Sequence, residues 1–226
     1  KGLNEGDYAM ILGFPGSTSR YLTESEVTER MYTTNQARID MRTVRLDVLR
    51  EAMAKSDKTR IQYASKFAGS SNYWKNSIGM NQAIADNKVL ETKAEVEKQF
   101  KAFAQGKPEY EGVVDKINAI VEKSIPVERQ IDYLSEFYNA IEFRTPEEPM
   151  KKMKEAITNK DNAAIAEAKE LIRAQYARIH NKDYDHEVDR QVAKAMIPAL
   201  AKALSSNELP SFYQIIARDF KGNVDA

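Results

Sequence analysis

Apolar residues recur along most of this chain at the three- and four-residue spacing of helices that bury one face. Ile39, Val44, Leu46, Val48, Leu49 and Met53 predict a helix over roughly 35–55, and a helical segment follows from Lys58 to Ala68. Val89, Val96, Phe100 and Phe103 recur at intervals of seven, four and three, and Gly106 and Pro108 end that helix. Val113, Ile117, Ile120, Val121, Val127, Ile131, Leu134, Tyr138 and Ile141 mark a long helix, with Pro126 as the place for a bend. Ile165, Ala168, Leu171, Ile172, Tyr176 and Ile179 line the next. Val188, Val192, Met196, Leu200 and Leu204 line another, with Pro198 as a kink, and a last helix around Pro210 to Phe220 ends at Gly222. Two starts are written as capping boxes, Thr23 with Glu26 and Thr145 with Glu148, the latter with Pro146 at the first helical position. The pattern predicts a mainly α fold: an irregular antiparallel bundle of 7–8 helices, longer than the usual ~11–12 residues.

One stretch breaks the helical period. Tyr8 to Phe14 is short, apolar and flanked by glycine, so it predicts a strand, with Pro15-Gly16 as the turn that ends it. A lone strand cannot satisfy its own backbone, and no other run in the sequence is a partner. The strand is therefore expected to belong to a sheet whose other members lie outside the chain. This divides the sequence into a strand and turn over 1–22, a helical body over 23–219 and a linker over 220–226.

Composition narrows the function. The 226 residues carry 34 basic and 34 acidic side chains, a balance unlike the basic excess of nucleic-acid binders or of a polybasic membrane patch. No apolar run approaches the ~18 residues of a membrane span. The chain has no cysteine, which excludes disulfides, thiolate zinc sites and a Cys nucleophile. It begins at Lys1 rather than Met, which reads as a processed product or an excised piece.

Most catalytic motifs fail on inspection. Gly13-Phe14-Pro15-Gly16-Ser17-Thr18 lacks the Lys of a phosphate loop, and Ser17 lacks the flanking glycines of a nucleophile elbow. His180 and His186 sit with Asp183, Asp185 and Asp189 in "HNKDYDHEVD". They are six apart rather than the four of a helical metal pair, and neither is matched by a serine in nucleophile context. No metal or cofactor is predicted. The stretch "GSSNYWKNSIG", Gly69 to Gly79, is different: it sets the only tryptophan, Trp74, among polar residues. With Tyr63, Phe67 and Tyr73 nearby, two readings stand. One is a helix–helix joint whose polar groups cap the ends. The other is a ligand wall, in which asparagine carbonyls and aromatic faces suit an ammonium group.

"GDYAMILGFPGSTSRYLT" (Gly6 to Thr23) and "YASKFAGSSNYWKNSIGMN" (Tyr63 to Asn81) resemble segments of the bacterial exo-acting serine dipeptidyl-peptidases, the dipeptidyl-peptidase 7 and 11 family. "FKGNVDA" (Phe220 to Ala226) is similar to the point where that family's chain returns to its protease core. The resemblance implies a chymotrypsin-like double β-barrel interrupted by a helical insertion that folds over the cleft between the barrels. The present chain is then the insertion plus the strand before it. The family's catalytic His and Asp precede this chain and its Ser follows, so the resemblance places no catalytic residue here and implies a piece inactive alone. It implies that Asn72, or as second choice Asn76, binds the substrate's free amino terminus. Trp74 is then expected to pack with its indole N–H on an acceptor, and Tyr73 and Lys75 are lesser contacts. The implied partners are a peptide with a free N-terminus, the missing double β-barrel and a homodimer of the parent. The implied location is the bacterial periplasm or cell surface. The rival expectation is a stand-alone helical binding or scaffolding module without catalysis.

Overall fold

The computed structural model describes residue 2 and residues 4–10, 13, 18–143 and 147–224, with the backbone alone at Ile179. Its helices are α1 (Glu24–Arg30), α2 (Gln36–Lys55), α3 (Asp57–Asp86), α4 (Val89–Ala104), α5 (Val113–Ala140), α6 (Glu147–Thr158), α7 (Asn162–Ile179), α8 (His186–Ala203) and α9 (Phe212–Asp219). A π-helical turn, Met31–Asn35, joins α1 and α2 into one continuous rod. The described residues thus form eight helices, and no strand.

The predicted strand is not observed in what is described. Tyr8, Ala9, Met10 and Gly13 are exposed and carry no strand, while Ile11, Leu12 and Phe14 lie outside the described residues, as does the Pro15-Gly16 turn. An edge of backbone donors and acceptors has no ladder to join without a partner strand, and among the described residues there is none. The Thr145-Pro146 start also falls outside the described residues. The Thr23 box forms as expected: Thr23 Oγ1 accepts from Glu26 N at 3.3 Å and Thr23 N donates to the Glu26 carboxylate at 2.8 Å.

α2 is the axis of the bundle, packed against α3, α5 and α8. Ala37, Met41, Leu49 and Ala52 of α2 meet Tyr63 of α3, Tyr133, Phe137 and Ala140 of α5, and Val188, Val192, Met196 and Leu200 of α8. Each fully buried Leu or Met in such a core contributes about 1.5–3 kcal/mol. α9 closes one end by stacking Phe212 on Phe137 with ring centroids 5.7 Å apart. α5 runs unbroken through Pro126, and α8 through Pro198. α9 ends in two left-handed residues, Lys221 with φ +53° and Gly222 with φ +79°, and Gly222 N donates to Ile216 O at 3.0 Å.

The π turn is supported by polar side chains inside the core. Asn81 of α3 donates to Met31 O, an acceptor at the start of the π turn, at 3.3 Å, and accepts from Asn35 Nδ2 at 2.7 Å. Thr34 Oγ1 donates to Asp132 of α5 at 2.8 Å.

Candidate functional site

The segment that holds Trp74 lies in the middle of α3, a single helix of 30 residues and so about 45 Å long. Sequence reasoning ended the helical segment at Ala68 and allowed a joint here. Gly69 and Gly79 instead sit within the helix, because neighbouring helices supply the stability that glycine lowers. Ser56 starts the helix by accepting from Thr59 N at 3.4 Å. Tyr63, Ser70 and Ser77 recur every two turns on the face toward α2 and are buried. Two serines on that face let the helix axes approach closely.

Trp74 and Tyr73 are fixed by α2. The indole N–H of Trp74 donates to Thr43 Oγ1 at 2.8 Å, and that hydroxyl donates to Ile39 O at 2.6 Å. Tyr73 lies under two guanidinium groups, with Arg42 Cζ 5.2 Å and Arg38 Cζ 5.7 Å from its ring centre. Arg42 forms a fork to Glu136 of α5, with Nε and Nη2 at 2.8 and 2.9 Å from its two oxygens. Its Nη1 also reaches Ser70 O at 3.4 Å. The tyrosine face that could attract a ligand cation is thus already occupied by two arginines of the same chain. Arg38, Arg42 and Glu136 belong to no motif; the only hint was the i,i+4 spacing of two arginines on one helix.

The opposite side of α3 presents Ser65, Gly69, Asn72, Asn76 and Gly79, at alternating intervals of four and three, all exposed. A Cβ added at Gly69 or Gly79 would meet nothing within 4 Å. Among the described residues Asn72, Asn76 and Lys75 make no side-chain hydrogen bond or ion pair. Asn72 and Asn76 are one turn apart, which puts two amides on one patch, each with a free carbonyl acceptor. The clamped aromatics and the unpaired amides divide the labour: one set holds the backbone, the other is available for a ligand.

The "HNKDYDHEVD" cluster is a structural junction. Asp185 caps α8, accepting from Glu187 N at 3.0 Å and Val188 N at 3.2 Å. Asp189 is buried and accepts from Glu142 N and Phe143 N, both at 2.8 Å. Tyr184 donates to Asp189 at 3.3 Å, and burial pushes its hydroxyl up to about 12. The His180 ring stacks on Tyr176 at 3.8 Å and meets Tyr184 edge-on at 4.6 Å. Lys66 of α3 ties the junction down through Glu142 at 2.5 Å and through Asp183 O. Burial pulls the pKa of the neighbouring Arg45 down, against the charges of Glu142 and Asp189 that raise it.

This arrangement defines a helical domain in which one face of a clamped helix carries polar groups open to solvent. The chain belongs to the Peptidase S46 family, whose sequence profile matches residues 1–226. It is 60% identical over its whole length to a dipeptidyl-peptidase 7 of Phocaeicola vulgatus, of which it covers 32%. It is 36% identical to an Asp/Glu-specific dipeptidyl-peptidase of Porphyromonas gingivalis, again over all of this chain and 32% of that protein. The fold is similar to the crystal structure of Porphyromonas endodontalis DPP11 in complex with dipeptide Arg-Glu. That match has a TM-score of 0.79 and 29% identity over 91% of this chain and 30% of the other. The ligand-free DPP11 crystal structure gives a TM-score of 0.80 and 28% identity over 95% of this chain. The chain therefore spans about a third of the length of the relatives it matches.

Proposed function

We propose that this chain is the helical lid domain of a serine-type dipeptidyl aminopeptidase of the bacterial periplasm or cell surface. The full-length protein would release dipeptides from the free N-termini of peptides. Family membership, and relatives about three times as long, support this reading over a free-standing module. The nucleophile and its base would come from the double β-barrel outside these residues, and His180 is spent on ring packing against Tyr176 and Tyr184.

Within the domain, the observation that carries the reading is the unpaired Asn72 amide on the exposed face of α3. A peptidase that counts two residues from a free amine needs an acceptor at a fixed distance from its nucleophile. An ammonium has three donors and no acceptor, so an amide carbonyl suits it. The Trp74–Thr43 bond and the Arg42–Glu136 fork hold the helix backbone that aims it. A blocked or longer N-terminus would lose the contact or collide.

Kinetics of the full-length enzyme with Asn72→Ala test this directly. Loss of one hydrogen bond to a charged group costs about 1.5–3 kcal/mol, which lowers kcat/KM on free-amine substrates roughly 10- to 150-fold. The discrimination against N-acetylated substrates narrows by the same factor. Unchanged kinetics in Asn72→Ala with a loss in Asn76→Ala transfers the role to Asn76; unchanged kinetics in both removes the proposal.

A further inference from the structure

α6 and α7 form an antiparallel arm that packs mainly on itself. Its seam is thin. Among the described side chains, only Ala156 and Ala168 of the arm are buried. Meanwhile Met150 and Ile157, two turns apart and so on one face of α6, are 48% and 58% exposed. Leu171 and Tyr176 of α7 are exposed as well. Helices shorter than about 12–15 residues are marginal in water without a packed face, and α6 has 12 residues.

The arm's roots, by contrast, are held firmly. Asp189 grips Glu142 and Phe143 before α6. Gln62, Lys66 and Tyr63 of α3 grip Lys182, Asp183 and Asp185 after α7. At the junction a cavity of about 610 Å³ is walled by Phe143, Tyr176, His180 and Tyr184. An arm held near both of its roots, with little internal support and bare apolar residues, is shaped to be covered.

We propose that this arm is a docking element, and that its cover is the part of the same polypeptide lying outside these residues. The relatives carry about two thirds of their length beyond the matched third. Such a surface is tethered to the arm and needs no second molecule, which gives it a high effective concentration. The inference rests on the chain being part of a longer protein, and it stands whether or not Asn72 meets an ammonium.

Limited trypsin digestion of the full-length protein tests it. Lys151, Lys152, Lys154, Lys160, Lys169, Arg173 and Arg178 are all exposed here and mark the arm with cleavage sites. The full-length protein is expected to resist cleavage in the arm. The variant M150E/I157E, which keeps helix propensity, is expected to be cut there at least about tenfold faster. The conservative pair M150L/I157V should stay protected, which separates lost cover from general unfolding. Rapid cleavage in the unmodified full-length protein, or equal protection of M150E/I157E, overturns the proposal. Protection that disappears on dilution, together with a dimer in gel filtration, also overturns it by assigning the arm to a second copy.

Discussion

Asp189 joins α8 to the end of α5, and its removal has a calculable effect. The residue is 4% exposed, and its carboxylate takes two backbone N–H groups at 2.8 Å and the Tyr184 hydroxyl at 3.3 Å. Asp189→Ala leaves both amides without a protein acceptor and removes a compensating charge from the partly buried Arg45. Hydrogen bonds to a charged group are worth about 1.5–3 kcal/mol each, so two sum to about 3–6 kcal/mol. Glu142 is only partly buried and Phe143 is exposed, so water replaces part of what is lost and about 3–4 kcal/mol remains. At about 2–4 °C per kcal/mol for a domain of this size, Tm falls by roughly 6–16 °C. Urea unfolding followed by far-UV circular dichroism should show the same loss with an unchanged slope. Hydrogen exchange should accelerate at the amides of Glu142 and Phe143. Asp189→Asn, which keeps one acceptor oxygen, should lose less. A loss in Asp189→Ala below about 1 kcal/mol, with those amides still protected, would refute the assignment of Asp189 as the clamp.

Gly69→Ala and Gly79→Ala should each stabilise the 226-residue chain by about 0.5–1 kcal/mol, since both sites are helical and open. Thermal melts check this, and a destabilised alanine variant would show that something in the chain needs the bare backbone there. The alkaline limb should be set by buried tyrosines. Burial pushes Tyr184 and Tyr213 up to about 12 and also raises Tyr63 and Tyr133. The folded state thus holds their protons more tightly than the unfolded state. That stability is full below the ordinary value of about 10 and is lost as pH rises from there toward 12. Melts across this range, with tyrosinate absorbance in parallel, should show Tm falling as a late group of the 11 tyrosines ionises. Uniform ionisation near pH 10 in an intact fold would contradict it.

Helix content was readable because the apolar residues keep one period over long stretches. Met196 and Leu200 were picked from spacing alone and are fully buried. The capping box at Thr23 was readable because its geometry is local. What escaped depends on neighbours. The apparent break at Gly69 vanished because α2 supports the helix through it, and propensity is a weak guide where packing is strong. The π turn left no mark, since its support comes from Asn81, more than 40 residues away. Tyr8–Phe14 carries β propensity, but a strand is a property of a pair, and the described residues of that stretch form none. At the candidate site, "SNYWKN" drew attention to α3. Which of its side chains face inward could be settled only once Thr43, Arg38 and Arg42 were placed beside it.

The wide turn at Met31–Asn35 also constrains how this chain can change length. A π turn carries one residue more than the α-helix it interrupts over nearly the same rotation, because each of its residues turns by less than the usual ~100°. The faces of the rod on either side of it therefore stay in register, α1 against α4 and α5, and α2 against α3, α5 and α8. Deleting a single residue within 31–35 would let the rod close into a regular helix with Met41 and Leu49 still directed at the interior. The same deletion between Gln36 and Met41 would turn every later residue of α2 by about 100° and carry charged neighbours into the core. Met31–Asn35 is the place where this rod can shorten by one residue and keep its register.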